Sequence, residues 1–220
     1  FSHQKIRIYP KTLSDGYIMQ QFGEQLATAV ESELPAIVEE QMELEKIISY
    51  IVVDRAIRHD DGPFHWYCSG GGCSNHNYYW YEEPESGKLH LIPWDLDNAF
   101  ENIINNNNNA ITAILDDWGE ISNNCEPFSS IWFGLQQRSA ACDPLTAAWV
   151  SFEAEYEQLR QQFFQGPCSE TIVNQKIDQW AAQIRSATAE ANDTHNDAIS
   201  VTTWEQAVAR LKEQIDYARN

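Results

Sequence analysis

The sequence predicts an α+β domain in which a mainly helical body carries one β-hairpin. Three observations point there. Apolar residues recur at helical spacing over Met42 to Arg58 and through much of the second half. Two strand-like runs, His76 to Glu83 and Lys88 to Pro93, flank the turn sequence Pro84-Glu85-Ser86-Gly87. A length of 220 residues with 43% hydrophobic residues suits one domain with a substantial core.

Taken in order, Lys5 to Tyr9 alternates polar with apolar before Pro10, which predicts a short strand. Tyr17 to Glu33 reads as a helix with Phe22, Leu26 and Val30 on one face, and Pro35 is expected to interrupt the pattern. The clearest helix runs from Met42 to Arg58, where Leu44, Ile47, Ile48, Ile51, Val52 and Ile57 form a broad stripe. Glu43, Glu45 and Lys46 fall off it. His59-Asp60-Asp61-Gly62-Pro63 stops this helix, because Gly and Pro end helical geometry.

A Gly-rich loop between Cys68 and Cys73 follows, then the hairpin, whose Tyr78-Tyr79-Trp80-Tyr81 run has high β-propensity. Alternation sends half of those rings to the core and leaves the others free for stacking. Pro93-Trp94-Asp95-Leu96-Asp97 ends the second strand. Trp94 reads as a core aromatic that positions the Asp95 turn. Asn105 to Asn109 reads as an exposed loop. Helices are predicted over Ala110–Trp118, Ser129–Ser139, Leu145–Phe164, Ser169–Ala191 and Thr203–Tyr217, with Gly166-Pro167 as a break.

Charge limits the partners. A net charge of −19, from 33 acidic against 14 basic residues, repels nucleic-acid phosphates and anionic membranes. No apolar run reaches the roughly 18–20 residues of a membrane span. The five cysteines contain no C-x-x-C pair. Cys68 and Cys73 are expected to be bridged, because the glycines between them can bring their Cα atoms within roughly 4.4–6.8 Å. Cys168 is the expected unpaired thiol. With the sequon Asn192-Asp193-Thr194, the cysteines point to an oxidising, extracellular setting. No signal peptide opens the chain, so a secreted protein is expected to have lost residues before Phe1.

The chemistry lies at the ends of the hairpin. A hairpin returns the chain to near its start, so Asp61 and Asn77 can approach Asp95 and Asp97. Carboxylates converging with an amide oxygen suit a hard divalent cation such as Mg²⁺, which keeps waters and substrate phosphates as its other ligands. Protein kinases use the same order of parts: a catalytic-loop Asp, a downstream Asn and a metal-holding Asp beyond a short hairpin. Here Asp61 and Asn77 are 16 positions apart, wider than in the H-R-D-x-x-x-x-N loop, and no D-F-G follows. Plainer roles stand beside these. Asp61 can serve an Asp-Gly turn, with Asp60 as the other candidate base. Asn77 can be a strand-edge residue, and Asp97 can cap a helix. His59, His65, His76 and His90 fit no H-E-x-x-H pattern, so no zinc is expected from motif.

The run Asn77-Tyr78-Tyr79-Trp80-Tyr81, followed after the turn by Pro93-Trp94-Asp95-Leu96-Asp97, resembles the signature of the CotH (spore-coat kinase-like) family. That signature pairs N-Y-Y-x-Y with P-W-D-x-D. The apolar helix ending in Asp61-Gly62 is similar to the family's approach to its catalytic turn. The strong match covers roughly residues 42–101. The resemblance implies an atypical protein-kinase-like C-lobe, with a single domain over residues 1–220 and the N-lobe largely absent from the chain. It implies a secreted kinase that uses ATP and Mg²⁺ (or Mn²⁺ or Ca²⁺) to phosphorylate Ser or Thr of a surface or coat protein. Asp61 would be the catalytic aspartate, Asn77 and Asp95 would hold the nucleotide and metal, and Asp97 would be an auxiliary metal ligand. About 40 residues precede the long helix, with no Gly-rich strand-loop-strand among them. The competing expectation is therefore a non-catalytic, pseudokinase-type surface or adhesion protein.

Overall fold

The computed structural model describes residues 16–59, 61–96, 99–100, 118–131 and 135–219. The expected strand at residues 5–9, the asparagine run, most of the 110–118 helix, Asp60 and Asp97 lie outside these residues. Within them the fold is α+β, a helical body with two small antiparallel sheets.

Helix α1 (Tyr17–Thr28) buries Phe22 and Leu26 and leads through a short 3₁₀ turn into α2 (Leu34–Gln41). Pro35 does not interrupt a helix but starts one. It sits in the first turn of α2, where its missing N–H has no helical partner to lose. Helix α3 (Leu44–Ala56) is shorter than the predicted span and drives Ile47, Ile48, Ile51 and Val52 into the core beside Val38, Met42 and Leu89. The helix predicted from Leu145 is two: α4 (Pro144–Val150), capped by the Asp143 carboxylate, and α5 (Glu153–Gln165). The break at Phe152 turns the chain so that Trp149, Phe152 and Tyr156 all reach the core. Helices α6 (Glu170–Thr194) and α7 (Val201–Arg219) pack on each other. None of the described helices is long and apolar enough to cross a membrane.

Two further segments fold differently from the sequence expectation. The Gly-rich stretch is not a loop but a hairpin of β1 (Trp66–Ser69) and β2 (Gly72–Ser74), turning through Gly70 and Gly71 at positive φ. The segment predicted as the Ser129–Ser139 helix forms β5 (Phe128–Ile131) and β6 (Leu135–Arg138). These join the first hairpin in one sheet of order β2-β1-β6-β5. The Arg138 guanidinium lies 4.7 Å from the centre of the Trp66 ring on the neighbouring strand, a cation–π contact that only the strand register provides.

Cys68 and Cys73 are bridged, and their Cα atoms stand 3.9 Å apart, closer than expected, because the two residues face each other directly across β1 and β2. A second bridge joins Cys125 to Cys142, and Cys168 is the free thiol among the described residues. The second bridge closes the longer loop, of sequence separation 17 against 5. Its removal by Cys125→Ser with Cys142→Ser is expected to cost about 3 kcal/mol in chemical denaturation, and removal of the shorter one clearly less. Equal losses would show that loop closure is not what the second bridge contributes.

The predicted hairpin is present as β3 (Tyr78–Glu82) and β4 (Leu89–Pro93), in register from Tyr78 opposite Pro93 to Glu82 opposite Leu89. Gly87 takes a positive φ of 68° in the turn. Trp80 and Leu91 face the core, while Tyr79, Tyr81 and Ile92 face outward. Trp94 is not a core residue. It continues the outward face, is 57% exposed, and packs edge-on against Tyr79. A parallel bridge between Met42 and the buried Leu89 ties the hairpin to the helices. Lys88 Nζ adds bonds to the carbonyls of Glu39 (3.0 Å) and Glu40 (2.6 Å) at the end of α2.

Candidate functional site

The site is built on charges at the end of α3. Asp54 and Arg55 lie three and four positions beyond Ile51, on the same stripe as the core residues. Both are buried, at 1% and 2% exposure, and His59 just beyond is 0% exposed. The Asp54 carboxylate accepts from Arg55 Nε at 3.0 Å and from the Tyr50 hydroxyl at 3.2 Å. His59 spans the next gap: Nδ1 stands 3.2 Å from Asp54 Oδ1, and Nε2 stands 3.2 Å from the Asp95 carbonyl oxygen. Burial pushes the Asp54 carboxyl up, but the Arg55 charge and the bonds from His59 and Arg55 outweigh it and hold the group below its ordinary value. Burial, followed by the Asp54 charge, pushes the Tyr50 hydroxyl far up, so it remains a donor.

Gly62 lies against this network. A Cβ there would stand 2.5 Å from His59 Nδ1 and 3.0 Å from Asp54 Oδ1. The Asp-Gly turn therefore needs glycine for close approach rather than for an unusual φ. Gly62→Ala is expected to destabilise the protein by about 1–3 kcal/mol, the scale of overpacking in a filled core. A midpoint unchanged in thermal melts would show that His59 yields freely.

Asp61 follows at once from this anchor. Its Oδ2 accepts from Asn77 Nδ2 at 2.8 Å, and its Oδ1 pairs with His76 Nε2. The wide spacing in sequence is thus closed in space. Residues 63–75 leave as the β1–β2 hairpin and return, and Asn75 Nδ2 ties the base of the excursion to the Pro63 carbonyl at 2.6 Å. Burial raises the Asp61 carboxyl, but the bond and charge of His76 and the bond from Asn77 prevail and lower it. The bond to Asp61 raises His76 in turn, against the opposing effect of burial. Asp61 is thereby held as a carboxylate.

The donor role of Asn77 also fixes its amide orientation: nitrogen toward Asp61, oxygen away from it. Across the hairpin, the Asn77 carbonyl accepts from the Trp94 N–H at 3.0 Å, which sets Asp95 immediately beyond. Asn77 and Asp95 both have left-handed backbones, with φ of 62° and 53°. Such conformations cost energy for residues with a Cβ and persist where surroundings impose them, often at functional sites. The Asp95 side chain is exposed.

The structure therefore joins Asp61 to Asn77 by a side-chain bond and brings the Asp95 backbone beside them, while Asp97 lies outside the described residues. An amide oxygen and an exposed carboxylate on neighbouring turns fit the donor set of a hard cation. Sequence reasoning missed Asp54, Arg55 and His59, although two charged residues on an apolar stripe were the available signal. It also missed His76 as the partner of Asp61. A search of curated proteins found no match. The family model described as CotH kinase protein matches residues 11–220. With that match over almost the whole chain, this protein belongs to the CotH kinase family.

Proposed function

We propose that this chain is the C-lobe of a secreted protein kinase that transfers the γ-phosphoryl group of ATP to Ser or Thr of a surface or coat protein. The observation that carries the reading is the bond between Asp61 and Asn77 beside the Asp95 turn. Asp61, held ionised, would orient the acceptor hydroxyl. Asn77 and Asp95 would hold Mg²⁺, with Asp97 as a further ligand, and the ion would offset charge on the phosphates. Most of the catalysis would come from electrostatic positioning. The two disulfides fit an extracellular site of action.

Calorimetric titration of the complete protein, N-lobe included, with ATP, with and without Mg²⁺, tests this, followed by labelled-phosphate transfer to a Ser/Thr-rich protein. Metal-dependent binding with transfer is expected. A complete protein that shows neither is a pseudokinase on the same fold. The second reading is a non-catalytic, pseudokinase-type surface protein on the same fold. It predicts no heat with ATP under either condition.

A further inference from the structure

We propose that Glu43, Glu83 and His90 form a binding site for a first-row divalent cation such as zinc, at the end of the β3–β4 hairpin remote from Asp61. One ligand atom from each lies within 4.8 Å of the others, and all three side chains are half-buried. The backbone dictates their meeting. Met42 and Leu89 are partners in a parallel bridge, so the residues that follow, Glu43 and His90, lie side by side. His90 faces Tyr81 across the hairpin, and Glu83, two positions on, shares that face. Lys88 pins this end of the hairpin to the α2 carbonyls, so the three segments do not depend on the ion to come together.

The distances suit a common ion. Glu83 Oε2 stands 3.5 Å from His90 Nε2, longer than a good hydrogen bond. Two ligands held about 2.0–2.2 Å from a tetrahedral ion stand roughly 3.4 Å apart. One imidazole nitrogen with two carboxylates favours zinc over magnesium, and three protein ligands leave one position for water. No zinc motif is visible in the sequence because the ligands come from three separate segments.

Two groups compete for the carboxylates. Lys46 Nζ stands 2.5 Å from Glu43 Oε2, and the Ser86 hydroxyl donates to Glu83 Oε2 at 2.5 Å. The ion must displace the ammonium, which gives the site a signature: loss of Lys46 strengthens metal binding. Bound there, zinc would tie the hairpin turn to the start of α3. Glu83 is six strand positions from Asn77, roughly 20 Å at about 3.3 Å per residue, so the site stands independently of the kinase reading.

Titration of the full chain with zinc chloride at neutral pH, with magnesium in excess, tests the proposal. The parent is expected to take up zinc, and Lys46→Met to bind it more tightly. His90→Ala and Glu83→Gln should each weaken uptake by at least the roughly 10–100-fold that loss of a supporting partner costs a metal site. Both lie outside the core, and matching melting curves in metal-free buffer confirm that they fold. A parent that takes up no zinc overturns the site. So does His90→Ala or Glu83→Gln binding zinc as the parent does, or Lys46→Met binding it more weakly.

Discussion

Asp95→Asn is expected to abolish metal-dependent nucleotide binding and leave the fold intact. The side chain is exposed, and the bond from His59 runs to the Asp95 backbone carbonyl, which the substitution keeps. Asparagine also tolerates the left-handed backbone at φ 53°, so no strain is added, as alanine would add it. What is lost is one negative charge and a strong oxygen ligand. Asp61→Asn should behave differently. ATP with Mg²⁺ should still bind, while transfer falls by about 10²–10⁴-fold, the usual scale for a positioned proton acceptor. The new amide can still accept from Asn77 through its oxygen, so the local bond survives. The split between the variants is the discriminating result, read by calorimetry and by phosphate incorporation. If both bind and transfer like the parent, the two carboxylates are turn residues and the binding-protein reading stands.

The parts of this site that were legible in sequence are those fixed by short-range rules. The β3–β4 hairpin was readable because alternation and a Pro-Glu-Ser-Gly turn act within a few residues. That Asp61 and Asn77 belong to one site was read from the hairpin's return and the order of parts, but their direct bond was not, since an excursion of residues 63–75 separates them and is closed by contacts such as that of Asn75 with the Pro63 carbonyl. Strands β5 and β6 were misread as a helix because the apolar residues of Phe128-Ser129-Ser130-Ile131-Trp132-Phe133-Gly134-Leu135 satisfy either period. Their partner, β1, lies far upstream, and non-local pairing decided between the two. Trp94 was misplaced for a related reason. Its ring follows the outward face of β4 and finds Tyr79 there, although a large aromatic residue beside a candidate site suggests core.

Asp54→Ala is expected to be the most damaging single change to stability, because it breaks a buried ion pair on one side only. Arg55 would keep its charge at 2% exposure without the carboxylate, and the Tyr50 hydroxyl and His59 Nδ1 would lose the same acceptor. Removing one partner of a buried pair costs about 3–5 kcal/mol. At about 2–4 °C per kcal/mol for a domain of this size, the melting point should fall by on the order of 10 °C. Asp54→Ala with Arg55→Met should recover part of that loss, since the second change removes the stranded charge and keeps an apolar side chain in its place. The sign of the pH dependence follows from the lowered Asp54 carboxyl. Its stabilisation is fully present above the ordinary value of 3.8 and disappears as pH falls through the depressed one, so the variant should lose less stability on acidification than the parent. A second consequence reaches the site. His59 is held by Asp54 on one side and holds the Asp95 carbonyl on the other, so loss of Asp54 should also weaken binding of ATP with Mg²⁺. Denaturant titrations at neutral and acid pH, with calorimetry on the folded variant, check each part. A loss below about 1 kcal/mol, the scale of an exposed ion pair, would mean that the Asp54 network is incidental to the fold.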